Sequence, residues 1–227
     1  MAGRPALTLL HLGSGFANSM ANQHNAMRAH VPLVNVVGDH ATWHLQYDAP
    51  LTSDVAAHAR IPSDFVRVST SADDLARAGA EAVQAAMWGA GKVVTVIAPA
   101  NHAWEEAKEP AAPLPPQGLA AVERDVVEAV AAALGKGGKG GLFLGGRALR
   151  EDGLRAAGRI AAATGVRLLC ETFPARLQRG AGRVAVERLP YFAEAAMAVL
   201  ENVERLVLVG ATAPVAFFAY PGKPGWL

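Results

Sequence analysis

Short apolar runs alternate with amphipathic stretches along the whole chain. Residues 6–12 carry the pattern of a strand, and residues 17–30 that of a helix. Val31-Pro32 stops the helix, because a residue before proline avoids the α region. Residues 33–37 read as a second strand ending at Gly38. Ser71 and Asp74 fit a capping box that opens a helix over 71–88, with Leu75, Ala78, Val83 and Met87 expected on its buried face. A β-branched strand follows over 92–98. Leu119, Val122, Val126, Val130 and Leu134 then recur at three- and four-residue spacing, as in an amphipathic helix. Strands over 142–144, 166–170 and 206–209 alternate with helices over 151–164 and 192–202. Such alternation predicts an α/β fold with two open parallel-sheet layers and helices on both faces. Pro110, Pro113, Pro115 and Pro116 mark a linker over 110–118, which separates a first domain (1–109) from a second (119–227).

Composition narrows the field of functions. Apolar residues make up 52% and charged residues 18% of the 227, enough for packed cores. The net charge is +1 and the basic residues are scattered, so no nucleic-acid partner is expected. No apolar run reaches the roughly 18–20 residues of a membrane span, so no membrane partner is expected and a cytoplasmic location is the default. Cys170, the single cysteine, sits in an apolar run and reads as a buried thiol.

Six of the seven histidines precede residue 60: His11, His24, His30, His40, His44 and His58. No HxxxH pair is backed by a carboxylate and no cysteine lies nearby, so no metal site is expected. His11 stands at the carboxyl end of a strand, where open α/β sheets bind ligands and where imidazole can move protons. Taken alone, it reads as a hydrogen-bonded histidine at a strand end. Gly13-Ser14-Gly15 precedes the helix and permits close backbone approach. The segment is not a GxGxxG fingerprint, since Asn18 stands where the last glycine would be; Asn18 also suits a first-turn polar residue. Gly38-Asp39-His40 ends the second strand and is expected to face the cleft of His11, whereas Asp48 and Asp54 fit turn and cap roles. The run from Gly135 to Gly141 fails the phosphate-loop pattern, and Gly145-Gly146 is the better cradle of the second half.

These residues, from His11 to Asn18 and from Val31 to Gly38, resemble the pyrimidine-binding domain of thiamine-diphosphate enzymes of the acetolactate synthase and benzoylformate decarboxylase type. Acetolactate synthases carry Ser-Gly-Pro-Gly-Ala-Thr-Asn at this place, then a helix and an Ile-Pro-Val-Val strand. Asp48-Ala49 and Asp54 fall where that family has Asp-Ala-Phe-Gln-Glu-Val-Asp. Leu142 to Gly146 and Leu206 to Ala211 are similar to strands of the family's Rossmann-like central domain. The resemblance thus covers part of the first family domain and the central domain.

The resemblance implies that Gly13, Ser14, Gly15 and Asn18 bind the cofactor near its aminopyrimidine ring, and that His11 assists proton transfer. It implies thiamine diphosphate and Mg²⁺ in the complete enzyme, a small 2-oxo acid substrate, and a homodimer or larger homo-oligomer. The departures carry their own expectations. Ser14 replaces a proline, Pro50-Leu51-Thr52 replaces Phe-Gln-Glu, and the segment from Thr212 to Tyr220 lacks the Arg-Phe-Asp-Asp pattern of members that bind FAD, so FAD is not expected. In the family an activating glutamate precedes the strand ending at His11, and a Gly-Asp-Gly motif with an Asn-Asn pair holds the diphosphate; the chain shows neither. The expected function is a portion of a thiamine-diphosphate enzyme that makes or breaks a carbon–carbon bond, inactive as the isolated chain. A non-catalytic assembly or regulatory protein, and a dinucleotide-binding module, are the alternatives.

Overall fold

The computed structural model describes residues 3–118, 120–135 and 139–227. The chain divides into two compact units, Met1–Leu119 and Ala120–Leu227. In the first, the elements run β1 (Ala6–His11), α1 (Leu12–Arg28), β2 (Leu33–Asp39), α2 (Val55–Arg60), β3 (Phe65–Val68), α3 (Ala72–Ala86), β4 (Val93–Pro99) and α4 (Ala100–Trp104). The four strands form one parallel sheet in the order β1-β2-β4-β3. The register pairs Ala6 with Leu33 and His11 with Gly38, so the ends of β1 and β2 lie side by side as expected.

Alternation along the strands sends side chains to two cores. Phe16, Val37, Val55, Ala59 and Ile97 fill the face covered by α1 and α2. Val34, Val94 and Val96 meet Ala78, Ala82 and Ala86 of α3 on the other. Every residue of β4 is buried, as in a central parallel strand. The face of α3 differs from expectation: Ala78 is buried, but Val83 and Met87 are exposed. The alanine row lets the helix lie close on the sheet, which turns the larger side chains outward. Ser71 does cap α3, its Oγ accepting from the Asp74 N–H at 3.1 Å.

A polar seam crosses the interior of this unit. Asn35 accepts from Thr8 Oγ1 at 2.6 Å and from Gln23 Nε2 at 2.8 Å. It donates to Gln23 Oε1 at 3.0 Å and to Thr95 Oγ1 at 3.1 Å. Gln23, Asn35 and Thr95 are all buried. The seam ties α1 to the three strands β1, β2 and β4.

The second unit runs α5 (Arg124–Leu134), β5 (Gly140–Leu144), α6 (Glu151–Thr164), β6 (Arg167–Cys170), β7 (Glu187–Arg188), α7 (Ala193–Leu200) and β8 (Arg205–Val209). Its parallel sheet has the order β7-β6-β5-β8. Leu134, Leu154 and Ala157 cover one face with Leu142 and Leu144. Val199, Leu200 and Val203 pack toward Phe143 and Leu169 on the other. Gly165, at φ 73°, ends α6 in the left-handed conformation. The expected amphipathic face of α5 is only partly used: Leu134 is buried, Val122 and Val126 are exposed, and Leu119 lies outside the described residues. Among the described residues no helix is long and apolar enough to cross a membrane.

Candidate functional site

The strand β1 gives way to α1 at a single residue. His11 is still extended, at φ −102° and ψ 107°. Leu12, buried, takes φ 54°, a left-handed conformation that a leucine adopts only under constraint. The glycine segment is therefore not a loop: Gly13, Ser14 and Gly15 lie within the first turn of α1. Phe16, fully buried beneath that turn, anchors the helix early enough to include them.

The two glycines serve different neighbours. A Cβ on Gly13 would collide with Ser53 Oγ and come within 3.4 Å of His58 Nδ1. The space over Gly13 is thus taken by the chain's own loop. A Cβ on Gly15 would meet His11 Cβ at 3.4 Å and the Leu10 carbonyl carbon at 3.7 Å, both ordinary contacts. His11, Ser14 and Asn18 are exposed. Ser14 and Asn18, four residues apart, share one face of the helix. No side chain caps the helix start, so its first N–H groups remain available to a polar ligand.

The segment after β2 wraps over the same carboxyl edge of the sheet. Asp39 Oδ1 accepts the His40 N–H at 2.8 Å, and Thr42 N–H donates to Asn101 Oδ1 at 2.9 Å. His44 packs its ring against those of His40, Trp43 and Tyr47 at 5.5–5.6 Å between centroids. Asp48 makes a left-handed turn at φ 46°, and Asp54 caps α2 by accepting from the Ala57 N–H at 2.8 Å. Four buried polar atoms on this segment have no hydrogen-bond partner: His40 Nε2, Thr52 Oγ1, Ser53 Oγ and His58 Nδ1. Buried polar groups are normally paired, so the cluster marks a place for water or a polar ligand. Nearby, buried Ser69 and His102 pair through Oγ and Nδ1 at 2.9 Å, at the ends of β3 and β4. Neither Ser53 nor His102 stood out in the sequence. Gly13, against which Ser53 lies, and Ser69, the partner of His102, are each tens of residues away, and no local spacing signals such contacts.

In the second unit the glycines serve the backbone. A Cβ on Gly145 would strike Gly210 O and approach Ala211 Cβ at 2.9 Å. The turn after β5 is thus closed by the chain itself. Of the run from Gly135 to Gly141, residues 136–138 lie outside the described residues; Gly140 and Gly141 belong to β5, and Lys139 pairs with Glu204 at 2.8 Å. Cys170 is buried, and burial pushes its thiol up to about 11. Among the described residues no three His, Cys, Asp or Glu side chains are grouped to hold a metal ion.

No family model matches the chain. It is 53% identical over 224 residues to a Mycobacterium tuberculosis protein named "Putative acetolactate synthase large subunit IlvX", covering 99% of the chain and 43% of that protein. A structure described as "a putative thiamin diphosphate-dependent enzyme isolated from Mycobacterium smegmatis" superposes with a TM-score of 0.82 at 22% identity, over 97% of this chain and 43% of the other. A thiamine diphosphate-dependent 4-hydroxybenzoylformate decarboxylase from Rhodococcus jostii gives 0.78 at 20% identity, over the same shares. The chain spans less than half the length of each of these proteins. The likeness read from the glycine turn and the strands around it is the one these comparisons return: over the part it spans, the chain is similar to a protein named as an acetolactate synthase large subunit, and its fold is that of the two thiamine diphosphate-dependent enzymes.

Proposed function

We propose that this chain supplies the pyrimidine-side half of a thiamine-diphosphate site in an enzyme acting on 2-oxo acids. Residues 1–109 act as a partial pyrimidine-binding domain, 110–118 as a linker and 119–227 as a central domain. The carrying observation is the polar edge around the start of α1: exposed His11, Ser14 and Asn18, with the unpartnered buried atoms Ser53 Oγ and His58 Nδ1 against Gly13. Ser14 and Asn18 offer hydrogen bonds to an aminopyrimidine ring, and His11 offers an imidazole for moving a proton. Gly15 keeps the helix start open, whereas Gly13 accommodates Ser53.

The ring half of the cofactor fits these residues; the diphosphate half does not. Asp39, Asp48 and Asp54 lie along this edge, but among the described residues no three His, Cys, Asp or Glu side chains are grouped to hold Mg²⁺. The cofactor, when bound in a complete site, supplies the electron sink, and the residues here orient its ring. The isolated chain is expected to show no turnover of 2-oxo acids. Titration with thiamine diphosphate and Mg²⁺, followed by NMR, tests this. Weak, millimolar binding with shifts at His11, Ser14 and Asn18 is expected. Micromolar binding would refute the half-site, and shifts confined to other residues would refute its placement.

A second reading, a non-catalytic assembly protein, is favoured by the edge of the same sheet. Leu7 and Leu9 of β1 are 68% and 77% exposed on a strand with one free side. Homo-oligomers formed across this edge are its expected product, and light scattering measures them.

A further inference from the structure

The second unit holds an open cavity of about 250 Å³ formed by the segment between β6 and β7. Arg179, Arg183 and Arg188 line it with Gly180, Val184 and Val186, and no carboxylate does. Gly180 and Gly182, at φ 133° and 76°, allow the turn that brings Arg179 and Arg183 to one cavity. The Arg183 N–H closes that turn on Gly180 O at 3.1 Å.

The charges are unevenly compensated. Arg183 Nη1 donates to Glu151 Oε2 at 2.8 Å, and Arg155 already holds the other oxygen of that carboxylate at 2.6 Å. Among the described residues Arg179 and Arg188 form no ion pair. Arg150, which directly precedes Glu151, has a buried Nη1 without a partner. Burial and the neighbouring Arg176 and Arg147 lower its pKa, the mark of cations gathered around the start of α6. Of the three guanidinium groups that line the cavity, Arg183 alone is matched by a carboxylate among the described residues.

We propose that this cavity binds a small phosphate-bearing anion, a phosphomonoester or a diphosphate, through the guanidinium forks of Arg179 and Arg188, with Arg183 oriented by Glu151. Planar guanidinium groups match phosphate oxygens in pairs. The volume lies below the roughly 300–1,000 Å³ of pockets for drug-sized ligands, which excludes a dinucleotide held within it. The proposal does not depend on the pyrimidine half-site, which lies in the other unit.

Calorimetry on the full chain with inorganic phosphate, pyrophosphate and citrate tests it, at low salt because exposed charges are screened. Pyrophosphate is expected to bind with a Kd of about 1 mM or tighter. The R179Q/R188Q double variant should lose about tenfold or more, while R124Q, which removes the same kind of charge from an exposed pair with Glu128 outside the cavity, should lose little. Absence of pyrophosphate binding, equal affinity in the double variant, or an equal loss in R124Q would each overturn the site. Citrate binding as tightly as pyrophosphate would overturn the phosphate assignment. Circular dichroism checks that the double variant folds. If it does not, R188K, which keeps the charge but removes the fork, should weaken pyrophosphate binding several-fold, and unchanged affinity would overturn the proposal.

Discussion

The two sheets have the same parallel layout but are held together differently. At the centre of the first, Asn35 and Thr95 lie on neighbouring strands and bond to each other, and Asn35 bonds also to Thr8 and Gln23. At the centre of the second, Leu142, Leu144 and Cys170 meet Leu149, Leu154 and Ala157 with apolar surface alone. Apolar packing rewards volume and tolerates small displacements. Hydrogen bonds are directional, so sliding α1 along its sheet by one residue would strand Gln23 and Asn35 without partners. The polar seam therefore sets the position of α1, and with it the positions of His11, Ser14 and Asn18. The unit with the candidate site is the one whose register is set by direction as well as by volume.

The edges differ too. The outer strand of the second sheet, β7, carries Glu187 and Arg188, and Glu187 is paired with Arg167 at 2.6 Å. The outer strand β1 of the first sheet carries Leu7 and Leu9 in the open. Charge guards the one edge, while the other presents two exposed leucines and turns the Thr8 hydroxyl inward to Asn35.

Substitutions can break this contrast. The largest effect is expected in the apolar core: Leu149→Ala, at a fully buried position, should lower stability by about 3 kcal/mol, read by urea unfolding. Asn35→Ala should cost about 2–3 kcal/mol, because it leaves buried Gln23 and half-buried Thr8 short of a partner. A loss well under 1 kcal/mol there would mean that the seam does not position α1.

Asp74 gives a charged version of the same test. It accepts from Thr70 N–H at 2.9 Å and from Arg77 and Arg67 at 2.9 and 2.7 Å, and its carboxyl is held down at about 2, first by the Thr70 N–H. The unfolded chain binds that proton more readily. The stabilisation is thus complete above the ordinary value of 3.8 and is lost as the pH falls toward about 2. Asp74→Asn should cost about 2 kcal/mol at neutral pH and flatten stability against pH across that acid window. The smallest change in stability, within about 0.5 kcal/mol, is expected for Leu9→Lys on the exposed edge. Its readout is association: the variant should shift toward monomer in light scattering, and an unchanged mass would remove the edge from any assembly.

Much of the layout was legible from periodicity. Runs such as 33–37 and 92–98 are strands because β-branched residues suit a sheet buried on both faces, and the helix over 151–164 is bounded as read because Gly165 ends it. Short elements escaped: α2, β3, α4 and β7 are too brief to carry a period, and contacts with longer neighbours decide them. The capping of α3 by Ser71 was local and legible, but its buried face was not, since the approach of the sheet chose the alanines.

The site divides in the same way. The sequence by itself determined the order of the longer strands and helices, the buried character of Cys170, and the placing of His11 at the carboxyl end of a strand beside Gly38. Those features depend on periods and breaks within a few residues. Only the tertiary structure decided that Gly13 makes room for Ser53 while Gly15 stays open, that His58 and Thr52 bring unpaired polar atoms to this edge, and that Gly145 serves Gly210. Each of these depends on which distant backbone comes to lie against a glycine, and packing sets that, not pattern.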